Sequence, residues 1–171
     1  MRHTISVLVE NEFGVLARVS GLFSGRGFNI ESLSVAETLD PTVSRITLVT
    51  TGDDGVLAQI IKQLNKLVPV IRVSDFKDFD HVERELVLVK VRAAADTRGE
   101  LMNVINIFRG KVIDVGAESY VIEITGGEGK IRAILDLLKP LGILEIVRTG
   151  RVAMFRGTRT LRSPEAKEKV A

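Results

Sequence analysis

Val9-Glu10-Asn11-Glu12-Phe13-Gly14-Val15-Leu16-Ala17-Arg18-Val19 decides how this chain folds. An apolar strand runs into a short polar turn, the turn closes on Gly14, and an apolar-periodic helix starts at once. Upstream, Ile5, Val7 and Val9 alternate with Thr4, Ser6 and Glu10, and Leu8 is also apolar, so the strand reads as largely buried. Downstream, Val15, Leu16, Val19, Leu22 and Phe23 recur at three- and four-residue spacing, one stripe of a helix that Gly25 and Gly27 end. A strand that feeds a helix through a glycine leaves backbone N–H groups pointing outward at the helix start. With the positive end of the helix dipole, those groups suit a small carboxylate. Asn11, at the lip of the turn, carries an amide that can both donate and accept.

Working outward, Ile30, Leu33 and Val35 lie on a second strand, Asp40-Pro41 marks a turn, and Ile46, Leu48 and Thr50 alternate on a third. Asp53 and Asp54 open a second helix with Val56, Leu57, Ile60, Ile61, Leu64 and Leu67 on its stripe; Pro69 breaks it before a strand from Val70 to Val73. The order strand, helix, strand, strand, helix, strand then repeats. Leu86 to Val91, Val112 to Val115, Tyr120 to Ile124 and Ile143 to Val147 read as strands. Leu101 to Phe108, closed by Gly110, and Ile131 to Leu138, broken by Pro140, read as helices. The charged stretch from Phe76 to Arg84 is the junction. The expected architecture is α+β: two tandem ferredoxin-like (βαββαβ) domains, each an antiparallel sheet with two helices on one face. Right-handed crossovers place the first and third strands of each in the centre. The expected boundaries are 1–77 for the first domain, 78–84 for a linker, 85–160 for the second and 161–171 for a flexible tail.

Composition narrows the function. The chain has 171 residues, 45% hydrophobic and 27% charged, an ordinary globular balance. Its net charge is only +2, so no domain-wide basic surplus points to nucleic acid. There is no cysteine, which excludes disulfides, thiolate metal sites and cysteine nucleophiles. No stretch has the apolar length of a membrane helix, and Met1-Arg2-His3 leads straight into a strand pattern with no signal peptide, so the expected location is the cytoplasm.

Catalytic constellations are scarce. The two histidines, His3 and His81, stand apart, and no His/Asp/Glu cluster has metal-ligand spacing, so neither a catalytic nor a metal residue is expected. Asp53-Asp54 reads as a helix cap and dipole partner. Thr125-Gly126-Gly127-Glu128-Gly129-Lys130 lacks the glycine spacing of a phosphate loop, and Ile131 stands where Ser or Thr is needed; it reads as a strand-to-helix turn. What remains is the turn at Asn11 to Gly14, and Asn29, which lies just past a helix end where Asn tolerates the left-handed conformation. The second half has Ala94-Ala95-Asp96-Thr97 in place of the turn and Gly110-Lys111-Val112 in place of Gly27-Phe28-Asn29. The polar pair is absent there, so the fold is expected not to require it.

Asn11-x-x-Gly14 and Gly27-Phe28-Asn29-Ile30-Glu31 together resemble an ACT domain, the amino-acid-sensing module. Leu22-Phe23-Ser24-x-Arg26-Gly27-x-Asn29-Ile30-Glu31-Ser32-Leu33-Ser34-Val35, His81-Val82-Glu83-Arg84-Glu85-Leu86 and Phe108-Arg109-Gly110-Lys111-Val112-Ile113-Asp114-Val115 extend the likeness. From about residue 2 to 160 the chain resembles the small regulatory subunits of acetolactate synthase (acetohydroxyacid synthase), which implies a place in branched-chain amino acid (valine, leucine, isoleucine) biosynthesis. The resemblance implies a non-catalytic homodimer that activates a large catalytic subunit and confers feedback inhibition by valine or a related amino acid. It implies that thiamine diphosphate, Mg and FAD belong to the large subunit and none to this chain. It also implies a ligand site between two ACT domains, with Asn11, Gly14, Val15 and Leu16 from one protomer and Asn29 and Ile30 from the other. Another ACT-type amino-acid-sensing regulator, without this partner, is the alternative. A small acyl-phosphate hydrolase needs a basic residue in a phosphate-cradling loop, and a transcription factor needs a helix-turn-helix or basic ribbon; the chain supplies neither.

Overall fold

The computed structural model describes residues 1–161. They form β1 (Arg2–Glu10), α1 (Val15–Ser24), β2 (Ile30–Glu37), β3 (Val43–Thr51), α2 (Asp54–Leu64) and β4 (Val70–Asp75). There follow β5 (His81–Arg92), α3 (Arg98–Ile107), β6 (Lys111–Val115), β7 (Ser119–Gly126), α4 (Glu128–Gly142), β8 (Ile143–Arg148) and β9 (Val152–Phe155). One sheet has the order β2-β3-β1-β4, the other β6-β7-β5-β8, with β9 pairing β5. The first and third strands of each repeat are central and pair antiparallel, the two-repeat ferredoxin-like α+β architecture expected from the sequence.

The described residues divide into two compact units, residues 1–82 with 151–161, and residues 83–150. In the first, Ile5, Val7 and Val9 of β1 meet Val15, Val19 and Phe23 of α1 and Ile60 and Leu64 of α2. In the second, Val87, Val89 and Val91 of β5 meet Leu101 and Ile105 of α3 and Ile131 and Ile134 of α4. Burial of apolar side chains of this kind stabilises by about 1.5–3 kcal/mol each, before the conformational entropy they give up.

The end of α1 shows why the sequence stops a helix there. Gly27 takes φ +69, the Gly27 N–H donates to Ser24 O (3.2 Å) and the Phe28 N–H to Phe23 O (3.0 Å). The Phe28 ring then packs edge-on against Phe23 at 6.0 Å. This is a Schellman closure with its hydrophobic contact. In the second repeat the Arg109 N–H donates to Asn106 O (3.0 Å) and the Gly110 N–H to Ile105 O (2.8 Å), with Arg109 at φ +51. The position equivalent to Gly27 is therefore Arg109, not Gly110, and Lys111 is the counterpart of Asn29. Matching glycine to glycine in the sequence is one residue out of register.

Three other stretches differ from the sequence reading. Pro140 does not break α4, which runs on to Gly142. Pro140 sits in the last turn, where its missing N–H removes one bond, and Gly142 at φ +95 makes the exit. The junction is shorter than 78–84, because β5 begins at His81; the charges of His81-Val82-Glu83-Arg84 conceal a strand. The second domain was expected to run to residue 160, yet residues 151–161 group with the first unit. There Ala153, Phe155 and Leu161 pack with Leu8, Val43 and Phe76. Arg45 holds the segment, donating from Nε to Ser6 Oγ (2.8 Å) and from Nη2 to Ala153 O (2.6 Å), and burial pushes its guanidinium down from its ordinary value. Arg159 lies over the Phe79 ring at 3.6 Å. Leu161 is buried, and the rest of the expected 161–171 tail lies outside the described residues.

Two equivalent positions with opposite chemistry give a test. Gly27→Ala is expected to cost about 1 kcal/mol through its left-handed backbone, and Arg109→Gly to stabilise by about 0.5–1 kcal/mol. Urea-unfolding midpoints of the two variants should move in opposite directions.

Candidate functional site

The site is built where β1 ends. The Glu10 N–H donates to Pro69 O (2.8 Å) and the Asn11 N–H to Thr42 O (2.7 Å), so this strand end ties together the β2–β3 hairpin and the α2–β4 loop. The chain then turns into α1 through Gly14, whose φ of +81 suits glycine. A Cβ at Gly14 would meet nothing of its own chain within 4 Å, so the space in front of it is open.

The first turn of α1 is electrostatically bare. Gly14 offers no side-chain cap, and no acidic residue lies in the first turn. The other three helices each carry an acid there: Asp54 in α2, Glu100 in α3 and Glu128 in α4. The Val15 N–H reaches Glu12 O only at 3.5 Å, and the Arg18 N–H donates to Gly14 O at 3.0 Å. Among the described residues, the N–H groups of Leu16 and Ala17 meet no backbone acceptor. These are the orphan donors of a helix start, aligned with its positive dipole end. Ala17 was not foreseen from the sequence; its signal is its position three residues past the glycine cap. The Val15 side chain is buried in the core, so Val15 can offer only its backbone, whereas Leu16 is exposed.

Asn11 is fixed rather than free. Its Nδ2 donates to Pro41 O (2.9 Å) and to Glu37 Oε1 (3.1 Å). Both amide hydrogens are thus committed, and what remains toward solvent is the acceptor Oδ1. Asn29 is exposed, with its carbonyl accepting from Thr50 Oγ1 (2.7 Å), and Ile30, at the start of β2, is half-buried against the core.

The structure brings Asn11, Gly14, Val15 and Leu16 together. It does not bring Asn29 and Ile30 to them. Asn11 is bonded to Glu37, the last residue of β2, and Ile30 is the first. Seven strand rises, about 23 Å, separate the two ends. β2 is an edge strand, paired only with β3 among the described residues.

The second repeat shows what Asn11 does for the fold. There the Ala93 N–H donates to Glu118 O (2.8 Å), the match of the Asn11–Thr42 bond. The residue equivalent to Pro41 is then Ala117, and its carbonyl receives Arg98 Nη2, while Arg98 Nε donates to Ala93 O (3.0 Å). Both repeats place a side-chain donor at this hairpin carbonyl, asparagine in the first and arginine in the second. Loss of the polar pair in the second copy is therefore a replacement, not an omission.

Other candidates resolve into local structure. Asp53 Oδ1 caps α2 by accepting from the Val56 N–H (2.8 Å), and the Lys77 ammonium beside Asp54 holds that carboxyl below its usual range. Lys130 folds back on its own loop, donating from Nζ to Thr125 O (2.8 Å). The buried His3 has Nε2 3.1 Å from Gly52 O, and the His81 ring packs on Phe76 at 5.1 Å. Among the described residues, no group of three or more His, Asp or Glu is placed to hold a metal, and no helix is long and apolar enough to cross a membrane.

Known families account for both halves. Residues 5–72 match the model of the AHAS small subunit-like ACT domain, and residues 84–157 that of the small subunit of acetolactate synthase. The chain belongs to the acetolactate synthase small-subunit family. It is 54% identical over 93% of its length to a protein of Archaeoglobus fulgidus, described as a "probable acetolactate synthase small subunit", and covers 99% of that protein. It is 51% identical over 91% of its length to the acetolactate synthase small subunit of Aquifex aeolicus, covering 81% of that protein. The crystal structure of the Thermotoga maritima small subunit superposes with a TM-score of 0.84 at 43% identity, over 93% of this chain and 99% of that one. The bare turn at Gly14 thus lies in the ACT domain of a regulatory-subunit family.

The two hairpin clamps can be separated by mutation. Asn11→Ala is expected to cost about 1 kcal/mol, and Arg98→Ala about 1.5–3 kcal/mol because its donors are charged. Amide hydrogen exchange should speed up in the β2–β3 hairpin in the first case and the β6–β7 hairpin in the second.

Proposed function

We propose that this chain is a non-catalytic regulatory subunit that binds and activates the large catalytic subunit of acetolactate synthase and makes it sensitive to valine. Thiamine diphosphate, Mg and FAD belong in this reading to the catalytic partner, and the complex works in the cytoplasm. The observation that carries the sensing role is the α1 start. It has unmatched N–H donors, no capping side chain and no acid, beside an asparagine with only its acceptor left over.

A free amino acid complements that arrangement. Its carboxylate accepts the first-turn N–H groups of α1, and its ammonium donates to Asn11 Oδ1. Two chains paired antiparallel along β2 about a two-fold axis put the Ile30 end of one beside the Glu37 end of the other. Asn29 and Ile30 of the second protomer then complete the site, Asn29 supplying polar groups and Ile30 an apolar wall for a branched side chain. A ligand shared by two chains favours one dimer geometry over another, and that difference is what a catalytic partner can sense. The alternative, an ACT-type sensor with another partner, shares the site but not the second domain, whose residues 84–157 match the small-subunit model.

Removing a hydrogen bond at such a site costs about 1–3 kcal/mol, or roughly five- to 150-fold in affinity. Asn11→Ala and Asn29→Ala are expected to weaken valine by that range in calorimetry and to blunt its inhibition of the reconstituted enzyme. Unchanged valine affinity in both variants would refute the site. A chain kept monomeric by charge on the β2 edge, such as Val35→Lys, should bind valine poorly; full affinity in the monomer would rule out a two-chain site.

A further inference from the structure

Among the described residues, the three most exposed large apolar side chains are Leu39 (107%), Phe13 (104%) and Val68 (90%). All three stand on loops at the same end of the first unit. Phe13 is in the β1–α1 turn, Leu39 in the β2–β3 hairpin and Val68 in the α2–β4 loop. The bonds from Glu10 to Pro69 and from Asn11 to Thr42 tie these loops to the end of β1. The strand order β2-β3-β1-β4 sets them in a row across the sheet end, roughly 15 Å long at ordinary strand spacing. Scattered single apolar residues on a surface need no explanation, but an aligned row of fully solvated ones does.

The same end of the unit is acidic. Glu12 and Asp40 lie on these loops and Glu10 and Glu37 end the strands that feed them, against Lys66 on the loops and Arg18 in the first turn of α1, although the whole chain is slightly basic. A second copy of this chain paired along β2 does not reach Val68, which stands at the β4 side of the sheet. The geometry points to this row as the surface that docks on the catalytic subunit, in an apolar socket rimmed by basic side chains. The inference rests on the regulatory reading above and adds the contact surface to it. Buried apolar anchors inside a charged rim are the usual anatomy of a specific interface. The placement also explains how a ligand is felt, because Phe13 lies between Asn11 and Gly14. Whatever occupies the turn sits directly behind the docking row.

The test uses the full chain and the catalytic subunit. A Leu39→Ser, Val68→Ser double variant is expected to raise the dissociation constant for the catalytic subunit at least tenfold, with a matching shift in the concentration needed for activation. A Glu10→Lys, Glu12→Lys variant should also weaken it, by charge repulsion. Ile107→Ser, on an exposed apolar residue of the second unit, is the control and should change nothing. Calorimetry of the double serine variant alone should give wild-type valine affinity. Wild-type docking by that variant overturns the surface, whatever valine does. Unchanged valine affinity in Asn11→Ala and Asn29→Ala, with docking lost in the serine variant, overturns the sensing site and leaves the surface standing.

Discussion

The end of β1 is held by four hydrogen bonds, and the candidate site is built beside them. Backbone donors at Glu10 and Asn11 capture Pro69 and Thr42, and the Asn11 amide captures Pro41 and Glu37. The Glu10 bond ties down the α2–β4 loop and the Asn11 bonds tie down the β2–β3 hairpin. Beside these held loops the space in front of Gly14 is open, and the first-turn donors of α1 meet no backbone acceptor among the described residues. Leaving donors unmet at a surface is tolerable because water serves them. It becomes useful when a ligand carboxylate serves them better.

The second repeat is an internal control on that logic. It has the same strand end, the same hairpin and the same backbone bond at Ala93. Its hairpin carbonyl is served by Arg98, which brings a full positive charge and a long side chain across the turn. Glu100 in the first turn of α3 also offsets the dipole. The second turn thus carries a charged side chain across its hairpin carbonyl and an acid at its helix start, and the first carries neither. The difference lies in how each copy meets one shared structural demand, which is why Asn11 can be both a structural residue and a candidate ligand.

Most of the architecture was legible because both periodicities are strong: alternation in β1 and β3, and a three-to-four spacing in α1 and α2. Gly14 and Gly27 were also legible, since a left-handed backbone leaves few other residues available. What stayed hidden depends on contacts distant in sequence. Arg109 holds a left-handed position that sequence reading gives to the neighbouring glycine. Pro140 is carried by a helix already anchored through Leu138. Ala153 and Phe155 read as part of the second domain, and Leu161 as the start of a tail, until Leu8 and Phe76 are seen to receive them. Within the site, Asn11 and the Gly14 turn were readable, but the orientation of the Asn11 amide was not. That depends on Glu37 and Pro41, more than two dozen residues away.

The orientation of Asn11 has a consequence for selectivity. An amide with both hydrogens committed can only accept, so a ligand meeting it must bring a donor. The helix start can only donate, so the same ligand must bring an acceptor. A molecule with an ammonium and a carboxylate on one carbon satisfies both at short range; a simple carboxylic acid or a simple amine leaves one side unpaired. Leaving such a group buried and unpaired costs about 1–3 kcal/mol. In the proposed site the zwitterionic backbone is therefore the required feature and the side chain a secondary one, read by the apolar surface around Ile30. The proposal puts the polar half of recognition on β1 and α1 of one chain. It assigns the half that distinguishes one apolar amino acid from another to the chain across the β2 edge.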